Sequence, residues 1–290
     1  MNYATQPLAR RIAVVFDFDE TLIPDDSFKI LLKDCQLDVD AFKRDRVEPL
    51  IREGWHKYLA RAYCLAKESQ QREGKNKITQ EQLFNLGKKL QLVEGVSEMF
   101  DRLKECVRAI LPEIDLEFYL ISGGFVDIAR TTSIAPNFKK MWGCELAYDG
   151  NGEIEFLKQQ MTHTEKTRYL YYLSKGIDTE NEKDLIYNYR DIPVEKLHVP
   201  LNQVVYVGDG TSDIPCFSVM NQYGGIAIGI YKQDSTSRQW QHRDLVTQSQ
   251  QVTNLVPADY REQSELMRSL VLAVECIGKH IALLKLSTGE

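Results

Sequence analysis

Ile12-Ala13-Val14-Val15-Phe16-Asp17-Phe18-Asp19-Glu20-Thr21 is the stretch on which the reading of this chain turns. Residues 12–16 are uncharged and mostly β-branched or aromatic, the pattern of a buried strand. Asp17 and Asp19 follow at its C-terminal end, where open α/β sheets place their ligand sites. Two carboxylates this close repel each other unless a cation or a proton intervenes. A second apolar run, 203–207, leads into another acidic cluster, Gly208-Asp209-Gly210-Thr211-Ser212-Asp213. Two such strand ends together read as a hard-cation site with a nucleophile in it.

At 290 residues the chain has room for one or two domains and a substantial core. A hydrophobic content of 43% and a charged content of 27% are ordinary for a globular protein. The net charge of −6 gives no global basic field to attract nucleic acid or an anionic membrane, so a phosphate-bearing substrate needs local cations. The six cysteines (Cys35, Cys64, Cys106, Cys144, Cys216 and Cys276) form no CxxC pair and read as reduced thiols. The apolar run after Arg10-Arg11 is too short for a signal peptide or a membrane span. The expectation is a cytoplasmic protein with neither a nucleic-acid nor a membrane partner.

Beyond the first strand the pattern turns helical from about Asp26. Val47, Leu50, Ile51, Trp55, Tyr58, Leu59 and Ala62 recur at three- and four-residue steps and predict one long amphipathic helix. Another helix is expected from Thr79, with Gln82 in capping-box position and Leu83, Leu86 and Leu90 on its apolar face. Val96, Met99, Phe100, Leu103 and Val107 mark a further helix, followed by a strand over 116–121 that ends in Ser122-Gly123-Gly124. Asp149-Gly150-Asn151-Gly152 predicts a hairpin turn between 144–148 and 153–157. Residues 164–174 read as a helix capped by Thr164, and 176–202 as an insertion or long surface connection. A helix near 214–221, a strand over 225–230 and a C-terminal helix carrying Leu266, Leu270, Val271, Val274 and Ile277 complete the pattern.

Four motifs occur in order along this framework: Asp17-Phe18-Asp19-Glu20-Thr21 (DxDxT), Ser122 at a strand end, Lys166 in Thr164-Glu165-Lys166-Thr167-Arg168, and the GDGxxD stretch of residues 208–213. On these motifs the chain resembles the phosphatases of the haloacid dehalogenase (HAD) superfamily, in particular a phosphoserine phosphatase-like subgroup with a helical cap inserted after the first motif. The resemblance implies an α/β fold with a Rossmann-like parallel sheet flanked by helices. Residues 1–25 and 94–290 would form that core, and 26–93 an all-helical cap.

The chemistry of each position follows from charge. A carboxylate attacks a phosphomonoester dianion only when charge is screened, and Mg²⁺ screens it by bridging carboxylate and phosphate oxygens. Asp17 is the expected nucleophile, forming an aspartyl-phosphate that water then hydrolyses. Asp19 is the expected general acid/base, with a second metal carboxylate as the alternative. Ser122 and the Gly123 amide are expected to hold phosphoryl oxygens, since the glycines let backbone approach a bulky anion. Lys166 would set a fixed positive charge beside the phosphate and Asp17, with Lys158 and Arg168 as rivals. Asp209 is the expected further metal ligand. Asp213 would either hold a metal-bound water or orient Lys166, and doubles as a helix N-terminal acid. Thr21 either hydrogen-bonds near Asp17 and the phosphate or serves the turn alone. The resemblance further implies that an Asp17 oxygen and the Asp19 backbone carbonyl bind Mg²⁺ while the Asp19 side chain stays free. Dehalogenating members of the superfamily lack the second aspartate.

Substrate choice would lie in the cap, which is expected to close over the phosphate and exclude water. In the phosphoserine phosphatases an acid shortly after the first motif and an arginine in the cap select the substrate. Asp25 and Asp26 are candidates for the acid, and Arg44, Arg46, Arg52 and Arg61 for the arginine. Trp55, Tyr58 and Tyr63 either line an aromatic pocket for an ammonium group or pack cap helices together. The leading expectation is a Mg²⁺-dependent phosphomonoesterase acting on a small phosphorylated metabolite. A phosphotransferase on the same fold and a non-catalytic phosphate-ligand-binding protein are the alternatives.

Overall fold

The apolar run of the first motif forms strand β1 (Arg11–Phe16), and its side chains from Ile12 onward are sealed from solvent. In the computed structural model, which describes residues 10–177, 192–210, 212–232 and 252–288, β1 is the centre of a seven-stranded sheet. The other strands are β2 (Asp115–Phe125), β3 (Phe138–Tyr148), β4 (Ile154–Gln159), β5 (Val204–Gly208), β6 (Ile226–Tyr231) and β7 (Asn254–Pro257), in the spatial order β4-β3-β2-β1-β5-β6-β7. Every neighbouring pair is parallel except the β3–β4 hairpin at one edge. This is the expected Rossmann-like parallel sheet flanked by helices. Thr211 and residues 178–191, the larger part of the expected 176–202 connection, lie outside the described residues.

The period of two divides the core. Ala13, Val15, Tyr119, Ile121, Val204 and Tyr206 face one layer, whereas Ile12, Val14, Phe16, Phe118, Leu120, Val205 and Val207 face the other. The second layer is filled by helices Val96–Ile110 and Glu265–Thr288, through Met99, Leu103, Leu266, Leu270 and Val274. The first is filled by helices His163–Lys175 and Ile214–Tyr223 and also by the helices between residues 27 and 89. Those inserted helices share one continuous apolar cluster with the sheet, in which Phe28, Leu31, Leu65 and Leu83 join Val15 and Tyr119. The two ends of the insertion meet, because the Val93 amide donates to the Leu22 carbonyl at 2.9 Å. The Asp149 turn closes the hairpin as read, and Lys77 pairs with Glu153 across to the insertion at 2.5 Å.

Several local expectations are corrected. The long helix through 47–62 is broken: a π-helical turn (Lys43–Val47) and a short helix (Glu48–Arg52) end at Gly54, and a new helix runs Lys57–Gln71. Gly54 adopts φ +97°, a left-handed conformation that ends a helix and suits glycine, and His56 Nδ1 caps the next helix. The apolar spacing bridges the turn, which is why it reads as continuous. Thr79 caps helix Gln80–Lys89, but the Gln82 side chain reaches Asp34 instead of completing the capping box. The cap of helix His163–Lys175 is Thr162, not Thr164. β2 continues through Ser122-Gly123-Gly124 to Phe125 with a register shift against β3, and only a four-residue helix, Val126–Ala129, follows it. β7 was not expected. Its four residues, Asn-Leu-Val-Pro, carry no alternation to betray a strand.

Candidate active site

The register of the three central strands decides where the motif residues meet. Phe16 of β1 stands opposite Leu120 of β2 and Val207 of β5, so Asp17, residues 122–124 near the end of β2 and Gly208-Asp209 gather at the C-terminal ends of these strands. The Asp17 amide continues the ladder by donating to the Val207 carbonyl at 2.9 Å. Beyond it the chain turns sharply, with Glu20 at φ +54°. A cleft of about 510 Å³ opens at these strand ends, lined by Asp17, Asp19, Ser122, Gly123, Gly124, Asp209 and Gly210 on the sheet side. Lys57, Tyr58 and Arg61 line it from the insertion.

Lys166 is entirely buried at the floor of the site. Its Nζ donates to Asp17 Oδ2 at 2.7 Å and to Asp213 Oδ1 at 2.8 Å. Burial alone would pull the Lys166 pKa down, but the two carboxylates outweigh it and hold the ammonium charged. The rivals point elsewhere: Lys158 pairs with Glu145, and Arg168 with Glu165 and the Tyr172 hydroxyl. Asp213 is fully buried and also accepts from the Tyr206 hydroxyl at 2.7 Å. Its contact with Lys166 Nζ suits one of its expected roles, orienting that lysine. Gly208 has no room for a side chain, since a methyl group there would lie 2.4 Å from Asp213 Cγ.

Asp17, Asp209 and Asp213 bring carboxylate oxygens within 4.8 Å of one another. Three carboxyl groups thus face a single ammonium, an excess of negative charge that a cation would relieve. The Asp17 carboxyl is pushed up to about 6 by burial, with Lys166 opposing and Asp213 reinforcing the shift. Asp209 is raised well above the usual carboxylate range by burial and by the charges of Asp17 and Asp213. The donor set is all oxygen, which fits a hard cation of the Mg²⁺ type. The residues present therefore fit the expected metal.

Asp19 also lines the cleft. Its Oδ1 accepts from the Ser27 amide at 2.9 Å, and its carboxyl is pushed up to about 7 by burial and by the nearby charge of Asp26. Gly124 is held against it, for a methyl group there would come within 2.8 Å of Asp19 Oδ2. The Ser122 hydroxyl is buried and accepts from the Gly124 amide at 3.0 Å, which folds the 122–124 turn around the cleft. Thr21 is fully buried, its hydroxyl has no hydrogen-bond partner, and it does not line the cleft. The expected contact between Thr21 and a phosphate is therefore not supported; Thr21 belongs to the turn beneath.

Among the cap candidates, Asp26 and Arg61 are brought together at the cleft, with Arg61 Nη2 2.9 Å from Asp26 Oδ2. Burial would raise the Asp26 pKa, but Arg61 and Lys43 hold it below its ordinary value. Asp25 pairs with Lys29, Arg44 with Asp45 and Arg46 with Glu68, and neither these residues nor Arg52 lines the cleft. The three aromatic candidates separate. Trp55 and Tyr63 pack at 5.0 Å with their rings tilted by 48° in a different groove, beside Phe156, whereas Tyr58 alone reaches the cleft. Sequence reasoning missed Tyr206, Lys57 and His163. Of these, His163 had a signal: it lies three residues before Lys166 on the same helix and so shares its face.

Comparison with known structures finds relatives of this fold. A HAD-family hydrolase from Salmonella enterica serovar Typhi superposes with a TM-score of 0.58 at 13% identity, over 92% of this chain and 72% of that one. The chain shares the fold of that hydrolase. A substrate-bound phosphoserine phosphatase aligns with a TM-score of 0.53 at 14% identity, over 87% of this chain and 96% of that one. A probable phosphoserine phosphatase from Vibrio cholerae gives 0.54 at 13% identity, over 96% and 69%. In sequence, an uncharacterized protein of Borreliella burgdorferi is 27% identical over 72% of this chain and 78% of its own length. No protein-family model matches the chain. Among the described residues no helix is long and apolar enough to cross a membrane.

Proposed function

We propose that the protein is a Mg²⁺-dependent phosphomonoesterase that hydrolyses a small phosphorylated metabolite through an aspartyl-phosphate on Asp17. The observation that carries this reading is the buried Asp17–Lys166–Asp213 array at the cleft, with Asp209 beside it and Asp19 lining the same cleft. Asp17, Asp209 and the Asp19 backbone carbonyl would hold the metal, with Asp213 in its outer shell. When bound, the metal supplies charge neutralisation between carboxylate and phosphate.

The remaining chemistry belongs to the side chains. Lys166 keeps Asp17 ionised and offers its charge to the phosphoryl group. Ser122 and the Gly123 amide bind phosphoryl oxygens and set phosphorus in line with an Asp17 oxygen. An Asp17 oxygen bonds to phosphorus as the phosphorus–alcohol oxygen bond breaks. Asp19 gives its proton to the departing alkoxide. It then takes a proton from the water that attacks phosphorus, releasing inorganic phosphate and restoring the Asp17 carboxylate. A carboxyl held near neutrality suits both transfers, since it exists in either state at working pH.

Helices of the insertion 26–93 act in this reading as a cap that supplies the leaving-group contacts. The Asp26–Arg61 pair pairs an acid with a cation at the cleft, a constellation suited to a zwitterionic, amino-acid-like alcohol. Phosphoserine, the substrate class named for the aligned phosphatases, heads the compounds to be assayed. The test is phosphate release from a panel of phosphomonoesters with Mg²⁺ present and chelated, in wild type and Asp17→Asn. Turnover should require Mg²⁺ and fall to background in the variant while its thermal unfolding stays cooperative. Near-wild-type turnover by Asp17→Asn would rule out this mechanism.

A further inference from the structure

The inserted helix Lys57–Gln71 begins directly over the phosphate-binding turn, and one of its side chains comes closer to that turn than a ligand contact from the cap needs to. A methyl group built on Gly123 would lie 2.3 Å from both Cζ and the hydroxyl oxygen of Tyr58. The phenol therefore rests at van der Waals distance on the backbone of Gly123. Tyr58 is half-buried and lines the cleft, and its ring is flanked by His56 at 5.5 Å and His163 at 6.2 Å. The Arg61 guanidinium lies 5.9 Å from its ring centre. Packing of this kind fixes the ring.

The hydroxyl is unlike the ring, for it makes no hydrogen bond to any described residue. A tyrosine hydroxyl in a part-buried place normally finds a partner. Burial, joined by the charge of Asp17, raises its pKa against the opposing pull of Lys166, so it remains a neutral donor at any working pH. A fixed O–H donor with no acceptor among the described residues thus lies against Gly123, in the cleft that Asp17 and Ser122 also line.

Resting on the phosphatase reading, we infer that the Tyr58 hydroxyl donates a hydrogen bond to a non-bridging oxygen of the bound phosphoryl group. The inserted helix thereby takes part in phosphate binding itself and does more than select the alcohol. It also gives Gly123 a second reason to be glycine: a side chain there would push Tyr58 off the turn. The contact adds a donor from above to the Ser122 and Lys166 donors from the sheet side. A neutral donor to a charged acceptor forms one of the stronger classes of hydrogen bond.

Tyr58→Phe keeps the ring and its packing and removes only the donor. The test is calorimetric binding of orthophosphate and of orthovanadate, with saturating Mg²⁺, to wild type and Tyr58→Phe, with melting temperatures measured alongside. The variant should melt like wild type and bind both anions about ten-fold more weakly, ~1.4 kcal/mol. Equal affinity in the two proteins would overturn the Tyr58 contact and leave the phosphatase reading intact. Failure of the wild type to bind either anion would remove the phosphoryl site, and the Tyr58 contact with it.

Discussion

Asp17 and Asp19 differ by one position in sequence, and the fold gives them opposite surroundings. Asp17 is bound to a buried ammonium, whereas Asp19 is bound to a backbone amide and faces another acid, Asp26. A nucleophile and a proton carrier need that difference. The sign is explicit: a carboxyl raised to about 7 keeps its proton up to neutrality, so leaving-group protonation weakens as pH climbs past that value. Asp19→Asn should cut turnover of an alkyl phosphate by about 10²–10⁴-fold. It should cut turnover of 4-nitrophenyl phosphate much less, because that leaving group needs little help from an acid. Steady-state kinetics on the two substrates decide it, and equal losses would remove the acid role. The motif aspartates and Lys166 were legible because each sits beside a strand end or helix start that the apolar pattern marks. Tyr58 was not, because a tyrosine at helical spacing among apolar residues reads as packing, and only the approach to Gly123 distinguishes it. Tyr206 was hidden similarly, inside a strand whose alternation explains it without its hydroxyl.

Strands β1, β2, β5 and β6 announced themselves through short apolar runs. The break at Gly54 was harder, because a tight turn can preserve three- and four-residue spacing while the backbone reverses out of the helix. Contact between elements was not legible at all. Helix Gln80–Lys89 approaches the Val126–Ala129 turn so closely that a methyl group on Gly87 would lie 2.2 Å from the Ile128 carbonyl oxygen and 2.0 Å from Thr131 Oγ1. In an open helix Gly→Ala gains about 1 kcal/mol. Here the carbonyl is backbone and cannot rotate away, so Gly87→Ala should instead destabilise by about 1–3 kcal/mol, as overpacked sites do. Urea denaturation measures it; a stabilised variant would mean that the two elements sit further apart. That contact anchors the inserted helices to the segment immediately following β2.

Parallel strands bring residues 17, 122 and 209 together at their C-terminal ends, and the start of helix His163–Lys175 adds Lys166. The cost is a cluster of acids around a single lysine. Protons and a divalent cation compete for those oxygens, and the Asp17 carboxyl, held up to about 6, and the raised Asp209 carboxyl keep their protons longer than ordinary ones. Stabilisation by Mg²⁺ should therefore grow with pH. At fixed Mg²⁺ the rise in melting temperature should be small at pH 5 and larger at pH 7.5, and Asp209→Asn should flatten the trend. Differential scanning fluorimetry across that range tests it, and a pH-independent Mg²⁺ effect would contradict a carboxylate site. The α/β class and the sheet position of the site were readable from strand ends alone. That the insertion would share a core layer with the sheet was not, because apolar stripes identify a buried face without naming what buries it.

The central claim is covalent chemistry at one side chain, and acid-quenched turnover followed by peptide mass spectrometry addresses it directly. With Mg²⁺ and a phosphomonoester, the peptide spanning Asp17 should carry a phosphoryl group that hydroxylamine removes, and chelation should abolish it. Continuous phosphate release with the Asp17 peptide never modified, or with the label on another residue, would contradict the account.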